Sequence, residues 1–148
     1  MIAAKEALGL KAEIIGVVSA HVDAAKQSFE AGQLITNATA DTFADGIAVC
    51  TPVQAALDYF GSRAARFVAV TDTEIADAIR ILWTDTHNLA EGAGAAAFAA
   101  LLQEREAMRG KKVAVILSGG NIDTDMAATL MAGGVPTPIH EEHHDYCI

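Results

Sequence analysis

The sequence lacks any fully apolar run that approaches the roughly 18 residues a membrane-spanning helix needs, although 52% of its 148 residues are hydrophobic. Residues 1–16 also lack the apolar core of a signal peptide, because Lys5, Glu6, Lys11 and Glu13 interrupt them. We therefore expect a globular chain with no membrane segment, and the cytoplasm as its compartment.

Basic side chains and cysteines are both scarce. Ten Lys and Arg stand against nineteen Asp and Glu, which gives a net charge of −9. A charge of this sign repels phosphate backbones, so no nucleic-acid partner is expected. The two cysteines, Cys50 and Cys147, lie far apart and form no CxxC pair. The length favours one domain over two very small ones.

Three short apolar runs predict strands, namely Ile14–Val18, Arg66–Val70 and Val113–Leu117. They show almost no alternation of polar and apolar residues, which is typical of parallel strands covered on both faces. A helical pattern follows the second run, with Thr73 as a candidate N-cap, and its apolar positions share one face: Ile75, Ala78, Ile79 and Leu82. Alternating strands and helices predict an α/β sandwich.

Two further segments complete the chain. Residues 92–112 are typical of a long alanine-rich helix that ends at Gly110, with basic residues near its negative end. Residues 131–148 contain two of the three prolines and a cluster of His, Glu and Asp, which predicts a tail. Its three histidines (His140, His143, His144) suit loose transition-metal binding, but a solvated tail is the favoured interpretation.

The strongest local motif is an apolar strand followed by the loop Ser118-Gly119-Gly120-Asn121 and a helix that starts near Asn121. In a parallel sheet such a loop lies at the carboxyl end of a strand, where ligands bind. The glycines let the backbone approach a ligand, and Ser118 can donate or accept a hydrogen bond. An ordinary strand-to-helix turn is an equal alternative from the spacing alone.

Three weaker signals lie upstream of this loop. Residues 92–97 formally match the GxGxxA dinucleotide fingerprint, but no strand precedes them, so a dinucleotide site is not expected. Glu91 stands at the predicted helix start, where a carboxylate can orient a polar ligand; a solvated N-cap acid is equally compatible. Asp45-Gly46 interrupts an apolar run and predicts a turn whose backbone lies close to a planar ligand.

Four strings, TFADGIAV, TEIADAIR, HNLAEGAGAAAFAAL and VAVILSGGNID, occur in an order and spacing that resemble the C-terminal half of the catalytic region of the threonine dehydratase and serine racemase family. These are fold type II pyridoxal phosphate enzymes. The resemblance implies a three-layer α/β/α domain with a mainly parallel sheet, similar to tryptophan synthase β. It covers residues 1–131 and leaves residues 132–148 as a flexible tail rich in His and acidic residues.

The resemblance also implies pyridoxal phosphate as cofactor and names its contacts. Ser118 takes the role of the serine that hydrogen-bonds the pyridine nitrogen, with Gly119 in the same loop. Glu91 lies near the ring, and the backbone of Gly46 lies beside the ring face. A neutral hydroxyl leaves the ring less electron-withdrawing than a carboxylate partner does, which suits loss of water from a hydroxy amino acid.

One feature of the family is replaced in this sequence. The family's divalent-metal loop carries two carboxylates, and the corresponding positions here are Val18 and Ala24. Without these hard oxygen donors we expect no magnesium or calcium at the loop, although Asp23 is adjacent.

The family's Schiff-base lysine and its glycine-rich phosphate cradle lie upstream of the matching region. No lysine here stands in the required Ser-x-Lys context: Lys5, Lys11, Lys26, Lys111, Lys112. We therefore expect no catalytic residue in this chain, and we interpret it as a fragment or half-enzyme of a dehydratase that converts L-threonine, L-serine or a related hydroxy amino acid to a 2-oxo acid and ammonia. The alternatives are a serine racemase-type enzyme and a non-catalytic assembly subunit, either as a homo-oligomer or as the complement of an N-terminal half.

Overall fold

The computed structural model describes residues 1–138, in which two parallel strands carry helices on both faces. Strand β1 (Ile15–Ser19) pairs with β2 (Arg66–Val70), with Val17 opposite Val68. The helices are α1 (Ile2–Ala7), α2 (Ala24–Ala31), α3 (Gln54–Phe60), α4 (Asp72–Thr86), α5 (Gly92–Gln103) and α6 (Thr124–Met131), with a short 3-10 turn at Asp45–Ile47. Within residues 1–138 no helix has the length and hydropathy of a membrane span.

The two faces of the sheet bury different side chains. On one face Phe67 of β2 packs against Phe29 of α2 and Phe60 of α3, with ring centroids 5.1 and 5.2 Å away. On the other face Val68 and Val70 join a core built with α4 and α5. Because successive side chains of a strand point to opposite faces, these apolar strands are covered on both sides. The predicted α/β/α layering is confirmed.

Helix α4 forms where the periodicity predicts it, and Ile75, Ala78 and Ile79 are fully buried. Its N-cap is Thr71 and not Thr73, so that part of the prediction is wrong. The Thr71 hydroxyl accepts from the Glu74 N–H, and the Glu74 carboxylate accepts from the Thr71 N–H at 2.7 Å. This reciprocal capping box decides where the helix begins.

The capping box should make part of the free energy of unfolding sensitive to acid. Burial alone would raise the pKa of Glu74, but hydrogen bonds from the Thr71 N–H, Gln103 and the Thr71 hydroxyl outweigh it and lower this pKa below its ordinary value of 4.5. A lowered pKa adds stability that is present above pH 4.5 and is lost as the pH falls through the pKa of the folded state. Urea titrations from pH 7 to 3 should show a shallower loss of unfolding free energy in Glu74→Gln than in the parent. An equal slope in both proteins contradicts the assignment.

The third predicted strand, Val113–Leu117, does not form. These residues run without a turn or bend, and none of them makes a backbone hydrogen bond to another described residue. Val113, Ile116 and Leu117 are 45%, 53% and 41% exposed. An apolar run becomes a strand only when a neighbouring strand satisfies its N–H and C=O groups, and residues 1–138 place none beside this one.

The alanine-rich helix is shorter than predicted. Helix α5 ends at Gln103, and residues 104–110 form turns up to Gly110, which has a φ of 76°. Glu104, just past the helix end, binds Arg66 at the start of β2 through two contacts of 2.6 Å. Helix α6 likewise begins at Thr124, after its N-cap Asp123, and not at Asn121.

Candidate functional site

The residues singled out in the sequence meet at the N-terminus of α5. Glu91 is the N-cap of this helix but makes no capping bond with its side chain. Its carboxylate instead accepts the Asn121 N–H at 3.1 Å, and its own N–H donates to the carbonyl of Gly119 at 3.1 Å. Two segments 30 residues apart are thereby joined, and Glu91 holds the Ser118–Asn121 loop in place.

Close backbone approach at this point depends on glycine. A Cβ on Gly94, in the first turn of α5, would overlap the carbonyl oxygen of Gly119. A Cβ on Gly46 would lie 2.8 Å from the Cβ of Ala93. Helix α5 therefore contacts the Ser118–Asn121 loop and the Asp45–Ile47 turn through positions without side chains, so that Gly46, Glu91 and Gly119 surround one helix end.

A buried hydrogen-bond network fixes the turn that carries Gly46. The Asp72 carboxylate accepts the Thr42 hydroxyl at 2.6 Å and the Phe43 N–H at 3.1 Å, and the Thr42 oxygen accepts the Ala44 N–H at 3.2 Å. Thr42 and Asp72 are 4% and 9% exposed. Sequence patterns did not single out Asp72, because its partners lie about thirty positions away along the chain.

The Ser118 side chain is exposed, and its hydroxyl has no hydrogen-bond partner among residues 1–138. Gly46 is also exposed, whereas Glu91 and Gly119 are half-buried. The site is an open face of the molecule: neither of two cavities, of 710 and 440 Å³, is lined by these four residues. The face thus combines the exposed Ser118 hydroxyl, a loop that is held by the Glu91 carboxylate, and glycine backbone without side chains. This arrangement suits one side of a planar heteroaromatic ligand.

The lysines lie in other parts of the fold. Lys26 pairs with Glu30 on α2, with 2.8 Å between the ammonium and the carboxylate. Lys112 precedes the unbent segment that leads to Ser118, so the two residues are on the order of 20 Å apart at about 3.3 Å per residue.

The loop after β1 lacks the two carboxylate ligands that a magnesium or calcium site would need. Val18 and Ala24 are buried, at 7% and 0% exposure, and the Asp23 carboxylate accepts the Gln27 amide at 2.5 Å. Across the described part of the chain, no three His, Cys, Asp or Glu residues are grouped to hold a metal ion. The histidines at positions 140, 143 and 144 lie outside the described residues.

Magnesium and calcium should therefore leave this chain unaffected. We expect a thermal midpoint that is unchanged by about 1 mM of either ion. This concentration is about 1000 times a micromolar Kd, at which a real site would add roughly 4 kcal/mol through binding linkage. Differential scanning fluorimetry with and without EDTA measures this. A reproducible rise in the midpoint with magnesium, abolished by Asp23→Asn, would show that Asp23 alone supports a site.

The chain is similar to known proteins over most of its length. A family model described as "Pyridoxal-phosphate dependent enzyme" matches residues 1–119. The chain is 37% identical over 123 residues to the L-threonine ammonia-lyase of Thermotoga maritima, which covers 83% of this chain and 30% of that protein. It is 32% identical over 119 residues to the beta-hydroxyaspartate dehydratase of Paracoccus denitrificans, covering 80% and 37%.

Solved structures show the same similarity. The crystal structure of a threonine deaminase from T.th. superposes with a TM-score of 0.76 at 31% identity, over 82% of this chain and 44% of that one. Maize serine racemase superposes with a TM-score of 0.76 at 26% identity, over 88% and 41%. The chain thus spans less than half the length of each of these relatives.

Proposed function

Because this chain belongs to the family of pyridoxal-phosphate-dependent enzymes, we propose that it supplies one wall of the cofactor site of a dehydratase that acts on L-threonine, L-serine or a related hydroxy amino acid. Its α/β/α arrangement is that of the fold type II members of the family. The observation that carries the proposal is the meeting of Gly119, Glu91 and Gly46 at one helix end, with the exposed Ser118 next to Gly119 in the chain. The dehydratases and ammonia-lyases among its relatives support this reaction class.

Each residue of the wall has a separate task. When bound, pyridoxal phosphate would supply an electron sink for Cα of the amino acid, which is the chemistry that converts a hydroxy amino acid to a 2-oxo acid and ammonia. The Ser118 hydroxyl would hold the ring nitrogen without adding a charge. Glu91 fixes the Gly119 backbone through its bond to the Asn121 N–H, and Gly46 keeps the ring face free of side chains.

The chain needs a complement for catalysis. Its five lysines match no Ser-x-Lys sequence, and a lysine amine is the group that both anchors this cofactor and carries the proton from Cα. Residues 1–131 are then one half of the catalytic region, and the complement supplies the lysine and the phosphate-binding loop. The exposed apolar segment 113–117 favours such an assembly, because a surface of this kind is normally covered.

Reconstitution tests the proposal. The companion polypeptide is the part of the Thermotoga maritima ammonia-lyase that precedes its match to this chain. We expect a stable complex by size-exclusion chromatography, cofactor absorbance in that complex, and 2-oxo acid from L-threonine only when both chains are present. If the complex forms D-serine from L-serine in place of a 2-oxo acid, the chain is part of a serine racemase-type enzyme. A complex without cofactor, or no complex at all, contradicts the proposal.

The role of Ser118 predicts a specific defect in that complex. Ser118→Asp places a carboxylate at the ring nitrogen, favours its protonated form and changes the electron sink, so elimination should slow by tenfold or more, about 1.4 kcal/mol in the barrier. The cofactor absorbance maximum should shift as well. Ser118→Thr keeps the hydroxyl and serves as the matched control. Parent-like turnover and spectrum in Ser118→Asp count against a contact between this side chain and the ring.

A further inference from the structure

Helix α6 and the segment that follows it line an open cavity of about 710 Å³. The helix side includes Asp123, Asp125 and Thr129, and residues 135–138 form the opposite side. No lysine or arginine is among the described residues that line this cavity. The cavity is therefore acidic, and it suits a cation better than an anion.

The two carboxylates of the cavity have no partner in the described part of the chain. Asp123 is the N-cap of α6, but its side chain makes no capping hydrogen bond. Asp125 accepts the Thr129 hydroxyl at 2.9 Å through its backbone carbonyl and not through its carboxylate. Both aspartates are exposed. Their carboxylate oxygens are therefore available as ligands of a metal ion.

The chain reverses its direction at the end of α6. The Gly133 N–H donates to the carbonyl of Leu130 at 3.0 Å. The Gly134 N–H donates to the carbonyl of Thr129 at 2.9 Å, and Gly133 has a φ of 89°, which completes a Schellman motif. The Arg80 guanidinium also donates to the carbonyls of Leu130 and Gly134, at 3.3 and 2.9 Å. These bonds turn the following residues back along the helix.

The returning segment, residues 135–138, reaches the start of α6. Prolines at positions 136 and 138 fix their own φ angles and favour extended backbone in the residues before them. At about 3.1 Å per residue the segment spans about 12 Å, which is the length of a helix of eight residues. Pro138 accordingly lines the same cavity as Asp123. The chain thus arrives beside the two carboxylates.

The histidine cluster follows this point directly. His140 and His144 are separated by three residues, which is a spacing of zinc ligands in proteins. Residues 139–148 lie outside the described part of the chain, but covalent geometry keeps the Cα atom of His140 within about 7.6 Å of the Cα atom of Pro138. The histidines alone indicate only loose metal binding. The structure adds two carboxylates within reach of the first of them.

We propose that this cavity binds one Zn²⁺ ion through the carboxylates of Asp123 and Asp125 and the imidazoles of His140 and His144. Carboxylate oxygen and imidazole nitrogen are both zinc ligands, and four such groups make a tetrahedral site. Magnesium and calcium prefer ligand sets made of oxygen alone, so they do not compete for it. The bound ion ties the histidine segment to the start of α6. The proposal does not depend on the proposed function, because it uses none of the residues of the cofactor wall.

Calorimetric titration of the full chain with zinc chloride at neutral pH tests the carboxylate ligands. We expect one ion per chain with a micromolar or lower Kd. Asp123→Asn/Asp125→Asn should raise this Kd at least tenfold, and α6 should stay folded because asparagine caps a helix as well as aspartate does. The matched control is Asp41→Asn/Asp85→Asn, which removes two exposed carboxylates elsewhere and should leave the Kd unchanged.

A second pair of variants tests the imidazole ligands. His140→Ala/His144→Ala should raise the Kd at least a hundredfold, whereas His21→Ala, at an exposed position outside the cluster, should not change it. NMR reports the position of the ion independently of its affinity. Zinc should shift the amide signals of residues 123–126 in the parent and leave them in place in His140→Ala/His144→Ala.

The results that would overturn the site differ from one another. Equal affinity in Asp123→Asn/Asp125→Asn, with unshifted signals at residues 123–126, would assign the ion to the histidine segment alone and overturn the cavity as its site. Parent-like affinity in His140→Ala/His144→Ala would overturn the ligand set. No calorimetric or NMR response to millimolar zinc would overturn the proposal as a whole. Each of these results leaves the proposed function standing.

Discussion

Asp72→Ala lowers the free energy of unfolding by about 2–5 kcal/mol, because it leaves two buried donors without their acceptor. The Thr42 hydroxyl and the Phe43 N–H both donate to this carboxylate, which is only 9% exposed. The loss is larger than that of an ordinary surface substitution, which is usually within about 0.5 kcal/mol. Since the same network carries the Asp45–Ile47 turn, the backbone of Gly46 should become mobile as well.

Urea denaturation followed by circular dichroism measures this effect. Asp85→Ala is the matched control, because Asp85 lies on the same helix but is exposed. The NMR signal of the Gly46 amide should broaden or shift in Asp72→Ala and stay in place in Asp85→Ala. Equal stability of the two variants would mean that the network does not hold the turn.

Gly94→Ala destabilises the chain by about 1–3 kcal/mol, although alanine is the better helix former by about 1 kcal/mol. The added methyl group overlaps the carbonyl oxygen of Gly119, a backbone atom that cannot rotate away. Helix α5 and the Ser118–Asn121 loop must therefore separate, which strains the 3.1 Å bond from the Glu91 N–H to that same oxygen.

The sign of the change in unfolding free energy in Gly94→Ala tests this explanation. Ala56→Gly, at an exposed helical position, makes the reverse change and should cost about 1 kcal/mol through helix propensity alone. Both variants should be less stable than the parent in the same urea titration. A more stable Gly94→Ala protein would show that propensity dominates and that the loop has room to move.

Elements that depend on local pattern were predicted well. Strand β2 has the predicted bounds, and α4 buries the predicted face of Ile75, Ala78 and Ile79. The N-cap error was avoidable, because Thr71 is followed three residues later by Glu74, which is the sequence signature of a capping box. The α/β layering followed from strands that are apolar throughout, since such strands need cover on both faces.

Elements that depend on distant partners were not predicted. Residues 113–117 have the composition of a strand, but the sheet described in residues 1–138 offers no neighbour to pair with them. The early end of α5 coincides with the pairing of Glu104 with Arg66, which belongs to a different element. The network around Asp72 joins residues separated by about thirty positions, and no local pattern indicates such a bond.

The sequence by itself determined the fold class and the family resemblance, and it suggested the four residues of the candidate site, because each depends on residue types within short segments. Only the tertiary structure decided that Glu91 anchors the Asn121 N–H and that Gly94 is the point of contact with Gly119. The physical reason is that hydrogen bonds and steric contacts join atoms that are close in space, and chain position alone does not say which distant atoms these are.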